Sequence, residues 1–223
     1  MILVIRGHIR DSFKTSDLYQ LVKNIYNIQN DLKIFIHTWN TFANNVSWRN
    51  IKIDNTQVTK ENIYIYFDDL KHLIETIIID DDSCINLVGN LNGKINGGPM
   101  PLIGWKNYWY GKYRIIDHIY KQNIYVDEII INLRFDVLNN SVSYSQEKII
   151  NFIKNNLETK ITTNIFIANS EVNGIDNIYI GNIDTLYKLT HYFFYYLDDI
   201  LMKNTDTVHQ ERFVYRINNT LFK

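Results

Sequence analysis

Four short apolar runs constrain this chain more than any other feature: ILVI at residues 2–5, KIFI at 33–36, TIIID at 76–80 and IIINL at 129–133. None alternates with polar residues, so each reads as a strand buried on both faces, the pattern of a mainly parallel sheet covered by helices. Helical spacing appears between and after them. Leu18, Leu21, Val22, Ile25 and Ile28 fall on one helical face with Ser16 placed as an N-cap, and 105–122, 145–156 (N-cap Ser145) and 185–203 repeat the pattern. NIYIYF (62–67), NIFIAN and NIYIGN read as further short strands, and RFVYRINNTLF as a last strand or short helix. The expected architecture is a single α/β domain over residues 1–223, with a Rossmann-like, mostly parallel mixed sheet flanked by helices on both faces. The segment 89–104, with most of the glycines and both prolines, reads as a long irregular loop.

In such sheets ligands lie beyond the carboxyl ends of the strands. The polar residues that follow each run are therefore the ones to collect. After the first come Arg6, Gly7, His8 and Arg10; after the second His37, Thr38 and Trp39; after the third Asp81 and Asp82; after the fourth Arg134 and Asp136. Arginines beside a glycine and ahead of a helix suit a phosphate, because guanidinium pairs with its oxygens bidentately and a helix N-terminus offers free N–H groups. Trp39 and Trp48 offer faces for stacking. Arg134 and Asp136 stand out, since apolar residues surround them and ionised groups are costly to bury without a partner. Either they satisfy each other or another buried group, or a ligand meets them. Asp136, a hard oxygen donor, also suits a divalent cation such as Mg²⁺ or Mn²⁺.

Composition narrows the partners. With 46% hydrophobic and 14% aromatic residues the chain folds, and a formal net charge of -1 gives no general attraction to nucleic acid or anionic lipid. The single cysteine, Cys84, excludes an internal disulfide, and no stretch is long and apolar enough to span a membrane, which together point to a cytoplasmic protein. Heavy use of Ile, Asn, Lys and Tyr indicates an AT-rich genome.

The segments IRGHIRDSF, IFIHTWN, SWR at 47–49, GWKNYWYGKYR, NLRFDV and GIDNIYIGNIDTLYKL, in that order, resemble a glycosyltransferase of the kind found in large DNA viruses and bacteria, built on the GT-A nucleotide-sugar-binding fold. The resemblance implies a nucleoside diphosphate sugar donor, such as a UDP-sugar, and a glycan or small-molecule acceptor. A viral source would place the protein in the host cytoplasm, and a homodimer is left open. The implied donor-binding set is Arg6, Gly7, His8, Arg10, His37, Thr38, Trp39, Arg49, Trp105, Lys106, Arg134 and Asp136. NLRFDV stands where this fold carries its Asp-x-Asp motif, so Asp136 is the implied metal contact, for Mn²⁺ or Mg²⁺, and a catalytic residue. Arg134 occupies the place of the first aspartate, which leaves open whether the arginine takes over part of the cation's task. GIDNIYIG marks Asp176 as the implied general base, the alternative being a turn aspartate after Gly174. HQERF, with His209 and Glu211, resembles an acidic motif of the same group. Two rival functions remain: a nucleotide- or sugar-binding module without turnover, and a nucleotidyltransferase. Asp136→Ala is expected to abolish turnover with the fold intact or stabilised.

Overall fold

The computed structural model describes residues 1–44, 52–139, 143–168, 170–172, 174–206 and 210–222. In chain order its regular elements are β1 (Ile2–Arg6), α1 (Asp17–Ile28), β2 (Lys33–Trp39), β3 (Thr41–Ala43), β4 (Asp54–Gln57), α2 (Lys60–Phe67), β5 (Ile74–Asp80), α3 (Leu102–Gln122), β6 (Ile130–Arg134), α4 (Gln146–Lys154), β7 (Ile165–Phe166), β8 (Ile178–Gly181), α5 (Ile183–Tyr195), α6 (Leu197–Lys203) and α7 (Gln210–Leu221). The four apolar runs are β1, β2, β5 and β6. They lie side by side as the parallel part of a six-stranded sheet of order β5-β2-β1-β6-β8-β7. β8 runs antiparallel to both β6 and β7, so the sheet is mixed. β3 and β4 form a separate two-stranded ribbon.

Side-chain alternation along the central strands feeds two cores. Leu3 and Ile5 of β1, with Ile34 and Ile36 of β2 and Ile131 and Leu133 of β6, pack against Leu21, Val22 and Ile25 of α1, Ile63 and Phe67 of α2, and Ile149 and Ile153 of α4. Ile2, Val4, Phe35 and Ile130 pack on the opposite side, with Trp105, Trp109, Ile116 and Ile119 of α3 and Leu186, Leu189 and Phe193 of α5. All these residues are at least nine-tenths buried, and full burial of one such side chain stabilises by roughly 1.5–3 kcal/mol. The expected two-faced burial holds for β1, β2 and β6, whereas β5, at the edge of the sheet, buries only Ile77 of its seven residues.

Three readings of local structure change. NIYIYF is helix α2: Thr59 and Asn62 form a reciprocal capping box, and Ile63 and Phe67, four apart, both enter the core. Local capping and tertiary burial override the strand preference of Ile and Tyr. RFVYRINNTLF is helical, within α7, where Phe213 and Val214 are buried. The run 185–203 is two helices, α5 and α6, which meet at Tyr196 (φ -116°, ψ 22°). The irregular loop is also shorter than its glycines suggest, because α3 starts at Leu102. Ser145 caps α4 through a hydrogen bond from the Lys148 N–H, whereas Ser16 occupies the N-cap position of α1 without a side-chain cap bond. Among the described residues no helix is long and apolar enough to cross a membrane.

Candidate functional site

The alternation that places Ile2 and Val4 under α3 places Arg6, the last residue of β1, on the same face. Arg6 is in register with His37 of β2 on one side and with Arg134 of β6 on the other, and Trp39 of β2 is in register with Asp80 of β5. A polar row thus crosses the carboxyl edge of the sheet beneath α3. Two arginines directly opposite each other repel and need compensation. The Arg6 Nε donates to Asn132 Oδ1 at 2.7 Å, its Nη2 donates to the Asp176 carbonyl at 2.8 Å, and its guanidinium lies 4.7 Å from the Tyr108 ring centre. Its Nη1 is buried with no hydrogen-bond partner among the described residues.

Arg134 forms a fork with Asp136, Nε to Oδ1 and Nη2 to Oδ2, each at 2.7 Å, and its Nη1 reaches Asn177 Oδ1 at 3.4 Å. Arg10 adds a second cation to the Asp136 Oδ2. It gets there because the chain after β1 turns sharply: Gly7 has φ +96° and Arg10 itself φ +53°, both left-handed. Burial raises the Asp136 pKa, but Arg134 and Arg10 more than offset it and hold the carboxyl at about 2. Asp136 is therefore ionised, and its side chain is only 5% exposed, while those of Arg10 and Arg134 keep 21% and 18%. The arginine side chains, not the carboxylate, are the part of this cluster that keeps exposure.

Asp176 precedes β8, in a single turn that follows Gly174 (φ +73°). Its Oδ2 accepts from the Tyr108 hydroxyl at 2.7 Å and lies 3.4 Å from the Lys112 Nζ. Tyr108 and Lys112 are four apart on α3, on the face that crosses the strand ends. Lys112 is fully buried, with its ammonium 4.1 Å from the ring centre of Tyr108 and 4.0 Å from that of Trp109. Burial, then Arg6, pushes the Lys112 pKa well below its usual value, against the pull of Asp176. Burial raises the Asp176 carboxyl, but Lys112, the Tyr108 hydroxyl and Arg6 together bring it below the usual range.

A second group flanks the first. His37 is fully buried, with Nε2 3.3 Å from Asp80 Oδ2, which also accepts from the Tyr110 hydroxyl at 3.0 Å and faces Arg114 at 3.5 Å. Trp39 packs edge-on against His37 and stacks on Tyr110, with ring centres 5.9 Å apart. Burial lowers the His37 pKa more than Asp80 raises it, so the ring stays neutral and the Nε2–H donates to Asp80. Gly111 of α3 leaves the room this ring occupies: a Cβ there would lie 2.8 Å from both His37 Cε1 and Nδ1. Helix propensity alone makes Gly→Ala stabilising by about 1 kcal/mol. Here overpacking against a pinned ring costs about 1–3 kcal/mol and decides the sign. Gly111→Ala is expected to lower the urea midpoint, and a raised midpoint would show that α3 can shift away.

His8, 5.8 Å from Trp39 ring to ring, carries a buried Nε2 with no partner among the described residues. Burial, with Arg10 beside it, lowers its pKa to about 3. A histidine held neutral in the fold contributes stability that is complete above its unfolded pKa of about 6.5 and is lost as pH falls below it. At pH 5 the loss is about 2 kcal/mol, from 1.36 kcal/mol per pH unit. The folding free energy of a His8→Gln variant should therefore fall less between pH 7 and pH 5 than that of the wild type, and parallel curves would remove His8 from the account.

The structure brings Arg6, Gly7, His8, Arg10, His37, Trp39, Arg134, Asp136 and Asp176 to one edge of the sheet. It does not bring Trp105, Lys106 or Thr38 there. Trp105 is core, with its ring against Trp109, Phe193 and Phe213. Lys106 pairs with Asp198 of α6 at 2.7 Å and donates to the Val88 carbonyl, tying the irregular loop to that helix. Thr38 is buried one residue out of phase with His37 and Trp39, toward the α1 face. Asp81 accepts from the backbone and hydroxyl of Ser83, and Asp82 accepts from Asn44. Arg49, Trp48 and His209 lie outside the described residues, as does the side chain of Glu211. Tyr110 and Lys112, among the aromatic and cationic residues that follow the irregular loop and suit a sugar or diphosphate, do reach the site, and Asn132 and Tyr108 complete it. Asn132 had a visible signal, an amide in the middle of an apolar strand.

The donor set does not fit a divalent cation. Both oxygens of Asp136 already accept from guanidiniums, and among the described residues no three His, Cys, Asp or Glu side chains group to hold a metal. A cation placed at Asp136 would face two positive charges at close range. Comparison with protein-family models and with curated proteins gives no match, so the chemistry of the site is read from these residues alone.

Proposed function

We propose that the protein is a glycosyltransferase of GT-A type that moves a sugar from a nucleoside diphosphate donor to an acceptor hydroxyl. The observation that carries this reading is the register of Arg6 with Arg134. From β1 the sheet extends outward through β2 and β5 on one side, and the chain then returns to place β6 on the other. β1 and β6 therefore flank the crevice where strand order reverses, the position at which open α/β sheets bind nucleotides. Two guanidiniums in register at that crevice, with Arg10 turned back over it, supply the charge and planar donors that a diphosphate requires.

In this reading Arg10 and Arg134 meet the diphosphate, and Trp39 with Tyr110 offers an aromatic wall at the same edge. Asp176 takes the proton of the acceptor hydroxyl as that oxygen bonds to the anomeric carbon. The bond from that carbon to the diphosphate breaks, and the departing charge passes to the arginines. Asp176, ionised because burial is outweighed by Lys112, Tyr108 and Arg6, which hold its pKa below the usual range, is able to accept that proton.

Binding without turnover is the second reading, favoured by the engagement of both carboxylates with cations and a phenol. Incubation with UDP-, GDP- and dTDP-sugars, following release of nucleoside diphosphate with and without acceptor glycans, separates the two. Release supports transfer. Tight nucleotide binding without release across the panel supports the module. Pyrophosphate release from a nucleoside triphosphate would instead indicate a nucleotidyltransferase.

A further inference from the structure

Among the described residues, three guanidiniums, those of Arg6, Arg10 and Arg134, and the Lys112 amine gather around the carboxylates of Asp136 and Asp176 at the β1/β6 crevice. The Nη1 of Arg6 is buried with no hydrogen-bond partner among the described residues. A buried guanidinium donor without an acceptor is under-compensated until one arrives. Asp136 sits at the centre of the cluster, bonded by Arg134 in a fork and by Arg10 from the other side. Carboxylate and phosphate offer guanidinium the same pair of oxygens in the same plane. The geometry of Asp136 is thus that of an anion between two arginines, and a metal at either oxygen would have to share it with a guanidinium.

We propose that Asp136 is a resident stand-in for the anion, and that this site binds a diphosphate by exchanging arginine partners, with no divalent cation. The empty protein keeps Arg10 and Arg134 spread and oriented by binding them to Asp136. An arriving diphosphate takes over part of those bonds, and Arg10 and Arg134 are the groups that swing to it, because they retain exposure while Asp136 does not. The carboxylate therefore competes with the ligand. It lowers affinity while holding the arginines in place, which is the opposite of what a metal-bearing aspartate does. The proposal rests on the reading of the crevice as a diphosphate site but not on sugar transfer.

Calorimetric titration of the full chain with inorganic pyrophosphate, UDP and GDP, each in EDTA and in Mn²⁺, tests it. Wild-type affinity is expected to be the same within about twofold in the two buffers. Asp136→Asn is expected to bind pyrophosphate about tenfold more tightly, since the neutral amide no longer competes for the guanidiniums. Arg10→Gln, at the more exposed end of the cluster, is expected to bind at least about tenfold more weakly. If Asp136→Asn folds poorly, its thermal midpoint should rise more steeply with pyrophosphate than that of the wild type. Binding that requires Mn²⁺ and disappears in Asp136→Asn overturns the proposal and leaves the glycosyltransferase reading standing. Binding of pyrophosphate in EDTA without binding of either nucleotide supports the proposal and counts against that reading. No binding of any of the three overturns both.

Discussion

Replacing Asp136 with alanine is expected to destabilise the protein by about 2–4 kcal/mol, a value below the upper end for a fully buried pair because Arg10 and Arg134 keep some contact with water. The sequence alone suggests the opposite sign. A carboxylate among Phe135, Val137 and Leu138 looks like a functional burden whose removal leaves the fold intact or improved. The structure points the other way, because the burden is shared: Asp136 is the anion that two guanidiniums bind in common, and alanine removes it from both. The pH dependence carries the same sign. With burial raising the carboxyl and Arg134 and Arg10 pulling it down to about 2, the group contributes stability that is complete above its unfolded pKa, near 4, and is lost as pH falls through 2. That contribution is about 2–3 kcal/mol, from roughly two pH units at 1.36 kcal/mol each. Urea titrations at pH 7 and pH 3 should show the wild type and Asp136→Ala converging at the lower pH. A variant as stable as the wild type at pH 7 would mean that the arginines find other anions, and the account of the cluster would be wrong.

What could be read from the sequence depended on whether a residue's environment is set locally. β1, β2 and β6 were legible because a strand buried on both faces must be apolar throughout, and β5 carries a similar run although it lies at the edge of the sheet and buries only Ile77. The strand-end rule then reached Arg6, His8, Arg10, His37, Arg134 and Asp136 without knowledge of how the strands are ordered. It failed where position depends on a partner distant in sequence. Tyr108, Gly111 and Lys112 belong to the site only because α3 crosses the carboxyl edge of the sheet. Trp105 and Lys106 lie at most seven residues earlier on the same helix, yet one is buried against α5 and α7 and the other is tied to α6. The break at Tyr196 had no glycine or proline to mark it. NIYIYF was misread because its β-branched and aromatic residues outweighed the quieter Thr59–Asn62 capping pair.

Asp176→Asn is expected to lower turnover by about 10²–10⁴-fold, the range for loss of a general base, while leaving nucleoside diphosphate affinity within about threefold of the wild type. The amide is isosteric, its oxygen can still accept from the Tyr108 hydroxyl, and the backbone carbonyl that receives Arg6 is untouched, so donor binding and fold have little reason to change. What is lost is the ability to take a proton. Lys112→Met separates this chemical role from a packing role. Methionine fills the space between Tyr108 and Trp109, but it removes the cation that does most to offset burial at Asp176. The carboxyl pKa then rises, and the acid limb of the turnover profile should move to higher pH with the plateau rate changed much less. A base that acts must carry its pKa into the rate profile, whereas a turn aspartate that only holds Tyr108 would alter stability and leave the limb in place. Full activity of Asp176→Asn, or an acid limb unmoved in an active Lys112→Met, would take the proton-accepting role away from Asp176.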